Sequence, residues 1–139
     1  MEKNVLIIGS APDAILAKEW SNPPFDHIIA INNAWRVRAD WSNCIFPEDF
    51  PSQKRPIIKE NQKLNSAEDY VPAQNYFGGF VYAGGTMAFT AAYWALDVFK
   101  PKNIVFLGLG PFARNPDQHK SKKHETREVR ISLARHVVC

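Results

Sequence analysis

The sequence predicts an α/β domain of three layers around a mostly parallel sheet of about five strands. Two observations carry that prediction. Short continuous apolar runs rich in Val and Ile recur, as in "NVLIIG" at 4–9, "HIIAIN" at 27–32 and "KNIVFLG" at 102–108. Runs of that length and composition are what strands covered on both faces look like. Segments with helical spacing lie between them, and strands alternating with helices require parallel pairing through right-handed crossovers.

The first strand is Asn4–Gly9, closed by Gly9-Ser10. A helix follows in "APDAILAKEW", with Ser10 suited to cap it, Pro12 to its first turn, and Ile15, Leu16, Lys18 and Glu19 at helical spacing. "SNPP" breaks the chain before a second strand, His27–Asn32, which ends on Asn32-Asn33. "AWRVRADW" reads as a short helix or turn, and Asn43–Phe46 as a third strand stopped by Pro47. Residues 51–79 have no clean period and read as a long excursion with one helix turn near Ser66–Tyr70. Phe80–Ala83 is the expected fourth strand, Met87–Phe99 a helix, and Lys102–Gly108 the fifth strand. That last helix is apolar nearly all round, so burial is expected. Ala88, Ala91, Ala92 and Ala95 make a stripe of methyls, while Met87/Trp94/Val98 and Phe89/Tyr93/Leu96 make two bulky faces. Covering those faces predicts a homodimer. The whole is a Rossmann-like domain over residues 1–110, with a basic tail, 111–139, packed on it or on a partner subunit.

Composition narrows the function. Residues 1–110 carry a formal charge of −1 and residues 111–139 one of +4. Mixed signs and a lone aromatic, Phe112, argue against a specific nucleic-acid partner. Phe80–Phe99 is interrupted by Gly84, Gly85 and Asp97, so no membrane span is expected. "MEKNVLIIGS" does not read as a signal peptide, and two cysteines, Cys44 and Cys139, form no disulfide framework. The expected compartment is the cytoplasm.

Chemistry should gather beyond the carboxyl ends of the strands. Three segments converge there: "GSAPD" at Gly9–Asp13, the pair Asn32-Asn33, and "AGGT" at Ala83–Thr86 opening the buried helix. A helix N-terminus offers free N–H groups and partial positive charge, and glycines there let a ligand approach the backbone. Asn32 and Asn33 bring donors and acceptors suited to ribose hydroxyls or a base edge. Neither the G-x-G-x-x-G fingerprint nor the P-loop lysine is present. There is no D-x-D triplet, and His119 and His124 stand five apart, as His136 and Cys139 stand three apart, so no metal site or cofactor is expected. His119 and His124 are the candidates for a general base.

Taken in order, "VLIIGSAPD", "IIAINNAW", "CIFPED", "YAGGTMAFTAAYWAL" and "KNIVFLGLG" resemble the family-42 bacterial sialyltransferases and the related DUF115 (MptE-like) proteins, among them archaeal hydroxymethylpterin pyrophosphokinases. The resemblance covers about residues 4–110. It implies that Gly9, Ser10 and Asp13 border nucleotide phosphates or ribose, that Asn32 contacts the nucleotide, and that Gly84, Gly85 and Thr86 line its base or ribose pocket. In the sialyltransferases the nucleotide is the CMP of CMP-sialic acid, used without a metal, with a histidine base on the later part of the domain. The pattern departs after the fifth strand, where Gly110 replaces a usual aspartate and residues 111–139 have no counterpart. A truncation, a frameshift or a naturally short relative would each produce that departure.

The resulting expectation is a nucleotide-sugar-binding, glycosyltransferase-like domain without an assignable catalytic set. A pterin-type pyrophosphokinase is the alternative, with Glu48 and Asp49 as its only candidate magnesium ligands, and a non-enzymatic oligomeric protein is the third reading.

Overall fold

The computed structural model describes residues 3–19, 25–76, 87–108 and 130–133. Six strands run parallel in one sheet: β1 (Asn4–Ile8), β2 (His27–Ile31), β3 (Asn43–Ile45), β4 (Lys63–Asn65), β5 (Asn103–Leu107) and β6 (Arg130–Leu133). Their order is β4-β3-β2-β1-β5-β6. Every described pairing is parallel, with Ile8 opposite both Ala30 and Leu107 at the sheet's centre. The sheet grows outward in one direction from β1 to β4, then resumes on the other side of β1 with β5.

Alternation along the strands builds two cores, one on each face. Val5, Ile7, Ile29, Ile31, Ile45, Ile104 and Phe106 point to one face, where α1 (Ala67–Tyr76) and α2 (Met87–Val98) cover them. Leu6, Ile8, Ile28, Ala30, Cys44 and Leu107 point to the other, under two 3₁₀ helices, η1 (Pro12–Glu19) and η2 (Asn32–Arg36). A third 3₁₀ turn, η3, spans Ser52–Lys54. The architecture is therefore the expected Rossmann-like three-layer α/β fold.

The alanine stripe of α2 is buried as expected, with Ala91 and Ala95 fully inaccessible. Tyr93, Trp94 and Leu96 are also buried within this one chain, while Val98 stays half exposed. α1 packs on α2 and supplies part of that cover. The two bulky faces therefore need no partner subunit to shield most of their surface.

The excursion at 51–79 is more structured than its sequence suggests. α1 runs a further six residues past Tyr70 and holds Pro72 inside it. Its start is a capping arrangement: the Ser66 N–H donates to the Asp69 carboxylate at 3.0 Å, and the Asp69 N–H to the Ser66 carbonyl at 2.9 Å. β4 is held by a buried side-chain bond, Asn43 Nδ2–H to Asn65 Oδ1 at 2.9 Å. Gln62 anchors the approach by donating to the carbonyls of Ala39 and Trp41. The expected strand at Phe80–Ala83 lies outside the described residues. β6 brings part of the basic tail into the sheet, beside β5. Among the described residues no helix is long and apolar enough to cross a membrane.

Candidate functional site

The loop after β1 is stitched to the end of β5. The Gly9 N–H donates to the Leu107 carbonyl and the Ala11 N–H to the Gly108 carbonyl, each at 2.8 Å. Both of those N–H groups are thus spent inside the fold and are not offered to a phosphate. Gly108 makes the approach possible: its φ is +74°, and a Cβ there would lie 2.4 Å from the Ala14 Cβ and 3.0 Å from the Gly9 carbonyl oxygen.

The helix that follows is 3₁₀ rather than α, which reorders its faces. With three residues per turn, every third side chain shares a face. Ala14 and Ala17 are buried against the sheet. Pro12, Ile15 and Lys18 form a second row and face a cleft. Ile15 is 63 % exposed, an aliphatic side chain left open on the wall of that cleft.

The opposite wall is η2, which starts directly after β2. Asn32 has left-handed backbone, φ 55°, a conformation asparagine tolerates better than most residues. Its carbonyl accepts the Cys44 thiol at 3.4 Å. Its side-chain Oδ1 is buried and has no hydrogen-bond partner, and the start of η2 carries no side-chain cap. Asn32 is therefore strained and unsatisfied at a strand's carboxyl end, where such features mark functional positions more often than elsewhere. Asn33 is exposed and lines the cleft, as do Arg36 and Val37.

The two walls are clasped by Arg38. Its guanidinium donates to both oxygens of Asp40 at 2.8 Å each and to the Ala17 carbonyl of η1. The hydrogen bond to Arg38 holds the Asp40 carboxyl below its ordinary range, and the same bond raises Arg38. Burial alone pushes the Cys44 thiol up to about 12, so it stays protonated and donating to Asn32.

The cleft so formed holds about 280 Å³. That is near the lower end of small-molecule sites, which run from about 300 Å³. One side offers apolar surface from Pro12 and Ile15, and the rim offers Ser10, Asn33, Lys18 and Arg36. It can take a flat or sugar-like group against the apolar wall and an anion against the two cations.

Of the residues singled out from the sequence, Ser10 and Asn33 meet in this cleft. Gly9 is buried beside it, Asp13 is the second residue of η1, and Asn32 lies at its edge without lining it. Gly84, Gly85 and Thr86 lie outside the described residues, as do His119 and His124. Glu48 and Asp49 are exposed on the turn after β3. Among the described residues no three His, Cys, Asp or Glu side chains gather as a metal site would require. The sequence reading missed Lys18, Arg36, Arg38 and Gly108. A basic residue soon after the second strand and a glycine closing the fifth were the available signals. No family model matches this chain, and no curated protein or solved structure matches it either.

Proposed function

We propose that this domain binds a nucleotide at the carboxyl edge of its sheet, with the sugar and base in the cleft between η1 and η2. The observation that carries the reading is that cleft: it adjoins the end of β2, where open α/β sheets receive a nucleotide's ribose, and it joins apolar wall to polar rim. The unsatisfied Asn32 beside it adds a polar group lacking a partner. Through the resemblance of "GSAPD" and "INNAW" to the sialyltransferase and DUF115 groups, a nucleotide sugar is the first ligand to test, in a glycosyltransferase-like role. No catalytic residue is assigned. A homodimer rests on the exposed Val71, Tyr76 and Val98, since the other bulky side chains of α2 are buried or half-buried.

Thermal unfolding with a panel of CMP, CDP, CMP-linked sugars and ATP with magnesium tests the reading. A nucleotide at a hundred times its Kd stabilises the native state by about 2.7 kcal/mol, which raises Tm by roughly 5–10 °C at this chain length. CMP or CDP shifting Tm supports the glycosyltransferase-like reading, and ATP with magnesium alone the pyrophosphokinase. No shift with any nucleotide at millimolar concentration overturns the proposal.

A further inference from the structure

We infer, resting on the nucleotide reading above, that the cleft between η1 and η2 selects nucleotides carrying a phosphomonoester on the ribose, bound by Arg36 and Lys18. The end of β2 is where α/β nucleotide sites decide this question: a carboxylate there accepts ribose hydroxyls and repels phosphate, whereas a nearby arginine accommodates a ribose phosphate. This chain places neutral Asn32 and Asn33 at that point, and Arg36 four residues beyond Asn32. Lys18 comes to the same cleft from η1, on the row it shares with Pro12 and Ile15.

Two basic side chains, Lys18 and Arg36, line the cleft, while Arg38 is paired with Asp40. Arg36 is also preorganised. Its guanidinium lies 5.2 Å from the Trp35 ring centroid, and the ring is pinned by Nε1–H donating to the Lys54 carbonyl at 3.0 Å. Two cations match a phosphomonoester, which carries close to two negative charges at neutral pH. A bare ribose would leave both unmatched, and a carboxylate would occupy only one. The Ser10 hydroxyl and Asn33 amide, on the same rim, supply further donors.

Isothermal titration of the full chain with matched pairs tests this: 5′-AMP against 2′,5′-ADP and 3′,5′-ADP, and 5′-CMP against cytidine 2′,5′- and 3′,5′-bisphosphate, all at low salt. The expected result is that one ribose phosphate tightens binding about tenfold or more over its parent. Arg36→Gln should abolish that advantage and Lys18→Gln should reduce it, each read as the ratio of the two affinities measured on the same variant. Lys102→Gln, the same charge change on the residue preceding β5, should leave the advantage intact. Plain 5′-nucleotides binding as tightly as their phosphorylated partners overturns this inference alone. An equal loss in Lys102→Gln reduces it to bulk charge and also overturns it. Failure of every nucleotide to bind removes the underlying reading with it.

Discussion

Gly108→Ala is the most demanding perturbation of the site's framework. Gly108 holds a φ of +74°, and its carbonyl accepts the Ala11 N–H at 2.8 Å, which seats the loop before η1. An alanine must first adopt left-handed backbone, at about 1–2 kcal/mol. Its Cβ must then fit 2.4 Å from the Ala14 Cβ, 2.9 Å from the Ala14 Cα and 3.0 Å from the Gly9 oxygen. Two of those atoms are backbone and cannot swing away, so η1 or the end of β5 must shift, at about 1–3 kcal/mol for overpacking. The total, about 2–5 kcal/mol, lowers Tm by roughly 4–20 °C. Urea denaturation followed by tryptophan fluorescence measures it. A double-mutant cycle with Ala14→Gly separates the causes: removing the Ala14 Cβ should return about 1 kcal/mol of the cost and leave the backbone part. Gly108→Ala within about 0.5 kcal/mol of the parent would mean that neither the left-handed backbone nor the close approach to Ala14 constrains this position.

Three further outcomes follow from named groups. In a Cys139→Ser background, Cys44 should resist thiol reagents at pH 8 until the protein is denatured, because burial raises its pKa to about 12; rapid labelling of the native protein would contradict its placement. His27 stacks on Phe99 with centroids 3.6 Å apart, and burial, then Lys3, depress its pKa against an opposing Asp26. The unfolded state then binds the proton first, so stability should fall as pH drops below about 6.5. His27→Gln should flatten that slope, and an unchanged slope would assign it to other groups. Asn32→Gly removes an unsatisfied buried oxygen worth about 1–3 kcal/mol against about 0.5–1 kcal/mol of added backbone freedom. The variant should therefore match or exceed the parent in urea while losing nucleotide affinity; a clear loss of stability would mean Asn32 serves the fold.

The strands at 4–8, 27–31, 43–45 and 103–107 were legible because each is an apolar run buried on both faces, so composition alone marks them. β4 was not, since its three residues, Lys63, Leu64 and Asn65, sit at the sheet edge and only Asn65 is buried. α1 extends past the expected turn at Ser66–Tyr70; its full length was not legible because residues 51–79 show no clean helical period, although "SAED" carries the capping signal at Ser66 and Asp69. At the site, glycine and asparagine at strand ends were visible as punctuation. Lys18 was obscured by helix type: an α-helix carries it about 120° round from Pro12, whereas a 3₁₀ helix stacks it in one row with Pro12 and Ile15. Arg38 was hidden because its partner, the Ala17 carbonyl, lies 21 residues away and is backbone.

Whether a ligand sits at the carboxyl edge of the sheet is tested by amide chemical-shift mapping during titration with the tightest nucleotide of the panel. Saturable shifts should appear at Ser10, Lys18, Asn32, Asn33, Arg36 and Gly108, with Asn4, His27 and Lys102 at the opposite edge unmoved. Shifts confined to that opposite edge, or none at saturating nucleotide, would contradict a ligand at the carboxyl edge.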